Sequence, residues 1–105
     1  MNNPIIIAID AMGGDNSPEK VIEGISLHSK SSRDVLYKIF GNKSLITPLI
    51  NKYDISNDRY DLIHTDKLVE GEDSALSAAK RGKETSLWLA VESLKHNNAH
   101  AIVSA

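Results

Sequence analysis

The stretch IIIAIDAMGGDNSPEKVIEG, residues 5–24, constrains the fold more than any other part of the chain. Ile5, Ile6, Ile7, Ala8 and Ile9 form a run with no polar face. Such a run suits a strand covered on both sides, which is the situation in a parallel sheet. Asp10 ends the run, and Met12, the pair Gly13-Gly14 and Asp15 follow within five residues. Ser17 is suited to cap a helix with Pro18 at its first position, where a missing N–H does no harm. A buried strand, a glycine turn and a helix start make the first half of a βαβ unit.

The pattern continues along the chain. Strand 1 is expected at about residues 4–9, and the first helix runs to about Lys30 with Val21, Ile22 and Ile25 inward. VLYKIF (35–40) reads as strand 2 and ends at Gly41. Ser44 opens a second helix with Leu45, Ile46, Leu49, Ile50 and Tyr53 on its inner stripe, and Pro48 lies in its early part. YDLIHT (60–65) reads as strand 3. A short helix is expected over Ser74–Lys80 and a firmer one over 85–96, whose core side is Leu87, Leu89 or Trp88, Val91 and Leu94. AHAIVSA (99–105) reads as a fourth buried strand. Strands alternating with helices over short connections imply right-handed crossovers and a parallel sheet.

The size and charge of the chain narrow its function. At 105 residues it holds one core. Twelve Lys and Arg against fourteen Asp and Glu leave a formal charge of −2, which argues against a general nucleic-acid binder. There is no cysteine, so disulfides, thiolate metal sites and a cysteine nucleophile are excluded. No apolar run approaches the roughly 18–20 residues of a membrane span. No basic region precedes the first apolar run, so the expected location is the cytoplasm.

Two places are candidates for chemistry. In the first loop, Gly13 and Gly14 let the backbone approach an anion, and the next helix offers N–H groups. The plainer role for these glycines is a tight turn at positive φ. Asp10 and Asp15 complicate an anion site, since carboxylates repel phosphate. They must orient a cation or take a proton there. Otherwise Asp10 ends the strand by accepting backbone N–H bonds and Asp15 caps the turn. The second place is Lys80-Arg81-Gly82-Lys83, followed by Glu84, Thr85 and Ser86 at the start of a helix. A lysine with two hydroxyls at a helix N-terminus suits phosphate, while a solvated basic surface beside an ordinary cap is the plainer account. His28, His64, His96 and His100 show no metal-ligand spacing.

Taken together, four segments resemble one family. IAIDAMGGDNSPEKVIEG (7–24) resembles the opening signature of the PlsX family, the bacterial phosphate acyltransferases of phospholipid synthesis. ALSAAKRGKETSLWLAVESLK (75–95) is similar to that family's second conserved region, IFGNK (39–43) fits its second strand and turn, and AHAIVSA (99–105) resembles the strand leading to its Gly-Asn-Thr-Gly loop. Two departures are Gly82, where the family usually has a lysine, and Thr85, where it usually has a serine.

The resemblance implies an α/β/α sandwich like that of isopropylmalate dehydrogenases. It implies transfer of a fatty acyl group from acyl carrier protein to inorganic phosphate, giving acyl phosphate, with no cofactor and no metal. By the same likeness Gly13, Gly14, Thr85 and Ser86 bind substrate. Lys83 serves catalysis, with Asp10 or Asp15 orienting it or removing the phosphate proton. Lys80 and Arg81 dock the acidic carrier protein. A homodimer at full length is implied, with no nucleic acid and at most peripheral membrane contact. Family chains are much longer, so this one is expected to be truncated after its fourth strand. Two alternatives stand beside this: an inactive remnant of such an enzyme, and a receiver-like signalling domain with Asp66 after strand 3.

Overall fold

A computed structural model of the chain describes residues 3–14, 16–65 and 85–104. Its centre is a four-stranded parallel sheet of β1 (Ile5–Asp10), β2 (Val35–Gly41), β3 (Tyr60–His64) and β4 (Ala101–Ser104), in the order β3-β2-β1-β4. Helix α1 (Glu19–Ser31) joins β1 to β2. Helix α2 (Lys43–Lys52) and a 3₁₀ turn at Asn57–Arg59 lead to β3, and α3 (Ser86–Lys95) precedes β4. The expected α/β class and parallel sheet are both present. The short helix expected over Ser74–Lys80 lies outside the described residues.

The pleat of β1 explains why its isoleucine run is needed. Ile7 and Ile9 pair in register with Tyr37 and Ile39. These four pack with Ile22 and Ile25 of α1 and Ile46 and Ile50 of α2 in the larger core. Ala8 points to the opposite face, where it packs with Phe40, Ala90 and Ala99 under α3. The molecule is therefore a three-layer sandwich, with α1 and α2 on one face of the sheet and α3 on the other. Alternate residues of one strand serve the two layers.

Several local expectations need correction. Ser17 does not cap α1. Its hydroxyl donates to the Gly13 carbonyl instead, and Pro18 stands one residue before the first helical residue. The cap of α2 is Asn42, whose Oδ1 accepts from the Ser44 N–H at 3.0 Å and the Leu45 N–H at 3.4 Å. Leu45 is 51% exposed because the cap turns it away from the sheet side, leaving Ile46 and Ile50 inward. Pro48 lies in the second turn of α2, beyond the positions where a missing N–H is harmless.

The inner stripe of α3 also differs from the expected one. Its buried residues are Ser86, Ala90 and Ser93, while Trp88, Val91 and Leu94 are exposed and Leu89 is partly buried. Small residues at this i, i+4, i+7 spacing let the helix lie close to β1 and β2. Hydrophobicity alone selects the larger side chains, which places Leu89 rightly against the core and Leu87 half-buried but misplaces Trp88, Val91 and Leu94. No helix among the described residues is long and apolar enough to cross a membrane.

Candidate functional site at the ends of β1 and β4

The strand order decides where a site lies. From β1 the chain moves outward through β2 to β3, then returns across the sheet to place β4 on the other side of β1. Between β1 and β4 the direction of winding reverses. In open parallel sheets ligands bind beyond the carboxyl ends of strands at such a switch point.

Asp10 is the last residue of β1, and it is 4% exposed. It continues the even-numbered face of β1, so its side chain lies on the α3 side of the sheet. Ser104, its register partner on β4, shares that face. The Ser104 hydroxyl donates to Asp10 Oδ2 at 2.8 Å. The Ser86 hydroxyl donates to Oδ1 at 2.5 Å, and the Met12 N–H donates to the same oxygen at 3.1 Å. Among the described residues, the donors to this buried carboxylate are therefore two hydroxyls and one amide. Its position at the start of α3 also places negative charge against the positive end of that helix. Both effects offset the desolvation of a buried acid.

The loop that follows is held from several sides. The Ala11 N–H donates to the Phe40 carbonyl at 3.0 Å, which carries the β1–β2 ladder one residue past the strand. Met12 packs against the larger core and over Gly41. A Cβ at Gly41 would lie 2.6 Å from Ile46 Cδ1 and 3.1 Å from Met12 Cγ, so a side chain there requires Ile46 and Met12 to shift. Gly14 has φ of 81°, a left-handed conformation that glycine adopts without strain. The expected turn role of the pair thus holds at Gly14.

At the far side, Thr85 caps α3. Its Oγ1 accepts from the Trp88 N–H at 3.1 Å, and its carbonyl accepts from the Leu89 N–H at 3.0 Å. Thr85 and Ser86 are each 1% exposed. Asp10, Ser86 and Thr85 therefore come together with the start of the glycine loop at one end of the sheet. Asp15, Lys80, Arg81 and Lys83 lie outside the described residues. Two contributors were missed in reading the sequence: Ser104 and Gly41. Ser104 was findable from strand alternation, since it shares a face with Ile102. Gly41 looked like a strand end because its crowding comes from residues distant in the chain.

Comparison with known proteins gives the family of the chain. The model of the family described as "Fatty acid synthesis protein" matches residues 5–105. A phosphate acyltransferase of Pelagibacter ubique is 50% identical over all 105 residues, which cover 31% of that protein. One of Rhodospirillum rubrum is 35% identical over all 105 residues and 30% of its own length. One of Streptococcus pyogenes is 38% identical over 99 residues, 94% of this chain and 28% of that protein. The chain thus spans about 31% of the length of the first of these relatives. It belongs to the fatty acid synthesis protein family, that of the phosphate acyltransferases, and corresponds to their N-terminal part.

Proposed function

We propose that this chain supplies part of the active site of an enzyme that transfers a fatty acyl group from acyl carrier protein to inorganic phosphate. The observation that carries this reading is the convergence of the glycine loop, Asp10 and the start of α3 at the switch point between β1 and β4. Family membership supplies the reaction class. A phosphate oxygen attacks the thioester carbonyl carbon. The carbon–sulfur bond breaks, and the proton lost by phosphate ends on the departing thiol. Direct attack needs no covalent acyl-enzyme, and these 105 residues offer no cysteine for one.

Such a reaction depends on holding phosphate close to the carbonyl and stabilising the oxyanion that develops. Backbone N–H groups of Gly13 and Gly14, together with Lys83, are the groups we assign to those tasks. Thr85 and Ser86 act at the start of α3, where they shape the helix end. The oxygens of Asp10 already accept three donors, which favours an orienting role over proton removal. Asp15 is then the better candidate for the proton. Lys80 and Arg81 dock the acidic carrier protein, and the intact enzyme is a cytoplasmic homodimer in this reading.

The test is acyl-phosphate formation from palmitoyl acyl carrier protein and phosphate by an intact enzyme that begins with these residues. Lys83→Ala should lower kcat/KM by about ten- to a hundredfold, the equivalent of one charge-assisted contact. Unchanged kcat/KM would return Lys83 to the solvated surface. An intact enzyme that forms no acyl phosphate would overturn the reading itself.

A further inference from the structure

Ser104 lies 94 residues from Asp10 in sequence and opposite it in register. Of the hydrogen bonds that hold Asp10, the one from Ser104 is the only one to Oδ2 among the described residues. The other oxygen serves two elements at once, the Met12 N–H at the root of the glycine loop and the Ser86 hydroxyl at the start of α3. A carboxylate is a rigid plane, so fixing one oxygen sets the direction of the other. Without the Ser104 bond the carboxylate is held through Oδ1 alone, and its last torsion, broad by nature, is less closely fixed.

We propose that Ser104 is a positioning residue of the phosphate site. By fixing Oδ2 it aims Oδ1 at Met12 and Ser86, and so fixes the distance between the glycine loop and the α3 start. Its kinetic consequence rests on the acyltransferase reading, but its geometric consequence does not. The strand alternation that puts Ser104 on the face of Asp10 also makes it the contact through which β4 adjusts the loop after β1. Beside the β1–β4 ladder, this bond gives β4 a side-chain route to the root of the glycine loop.

Ser104→Thr and Ser104→Val form the discriminating pair, since they have nearly the same shape and differ in a hydroxyl. Each is placed in an intact enzyme that begins with this chain. Three quantities are read: kcat and KM with palmitoyl acyl carrier protein, amide exchange at Met12, and the unfolding midpoint. The valine variant should lose about tenfold or more in kcat, as small misplacements in a site do. Its KM for the acyl donor should hold, and the Met12 amide should exchange faster. The threonine variant should restore both. Equal kcat and equal Met12 exchange in the two variants would overturn the proposal, as would equal impairment at equal midpoints. If the valine variant fails to fold, Ser104→Ala replaces it in the same comparison. If the parent enzyme forms no acyl phosphate, the acyltransferase reading falls, and Met12 exchange alone decides the role of Ser104.

Discussion

The hydroxyl of Ser86 donates to the carboxylate of Asp10 at 2.5 Å across 76 positions of sequence, and both side chains are buried. This bond joins the end of the first strand to the start of a helix on the opposite layer from α1. Removing the donor leaves a buried carboxylate oxygen with one partner fewer. Ser86→Ala should therefore cost about 1.5–3 kcal/mol of stability, the range for a hydrogen bond to a charged group. Urea unfolding of the variant beside the parent measures it. A midpoint within error of the parent would show that the Asp10 carboxylate does not depend on Ser86.

A side chain at Gly41 should displace Ile46 and Met12. A methyl group at this position meets Ile46 Cδ1 at 2.6 Å and Met12 Cγ at 3.1 Å. Overpacking of this kind costs about 1–3 kcal/mol. Because Met12 precedes the Gly13-Gly14 pair, its displacement should also reach the loop. Gly41→Ala is expected to lower the unfolding midpoint and change the amide shifts of Met12 and Gly13 in a heteronuclear NMR spectrum. An unshifted spectrum would remove Gly41 from any part in shaping the loop.

Gly14→Val places a β-branched residue at φ of 81°, where such residues are strongly disfavoured. The loop is expected to rearrange while the sheet survives. Far-ultraviolet circular dichroism should stay close to that of the parent. Acyl-phosphate formation by the intact enzyme should fall at least about a hundredfold, as expected for a misplaced site. Full activity would separate this loop from phosphate binding.

Tyr37 links composition to pH. It is buried beneath α1, and its hydroxyl hydrogen-bonds His28 Nδ1 at 2.6 Å. Burial raises its pKa above the ordinary 10.0, and the nearby Arg59 guanidinium opposes the shift. In the unfolded chain the phenol ionises near its ordinary value, while in the fold it holds its proton to higher pH. Above pH 10 the unfolded state therefore binds fewer protons than the folded state, and stability falls as pH rises. Below pH 10 the contribution is fully present. Tyr37→Phe should flatten the decline in unfolding free energy between about pH 9.5 and 11. Equal slopes in the variant and the parent would show that this phenol titrates alike in both states.

Much of the fold was legible because it follows from local patterns. A run of isoleucines without a polar face suits a strand covered on both sides, and Ile5–Asp10 is the strand between β2 and β4, buried over Ala8–Asp10 and open at Ile5. The periodic apolar positions of α1, and the mostly apolar run of Val35–Gly41, were likewise set by the order of residues. The glycine turn after Asp10 was visible too, since positive φ at Gly14 is a property of one residue and its neighbours.

What the sequence did not determine depends on contacts between distant residues. The inner face of α3 is Ser86, Ala90 and Ser93, because a helix lying close against a sheet needs small side chains there. Hydrophobic periodicity favours larger ones, and it cannot register how near the sheet will be. Gly41 is crowded only because Ile46 and Met12 arrive from two directions. Asp10 looked equally like a strand terminator, a base and a partner for lysine. The tertiary structure set its surroundings by bringing Ser86 and Ser104 to its two oxygens, 76 and 94 residues away. A buried carboxylate must find donors, and which donors it finds is a property of the strand order, which no local stretch of sequence contains.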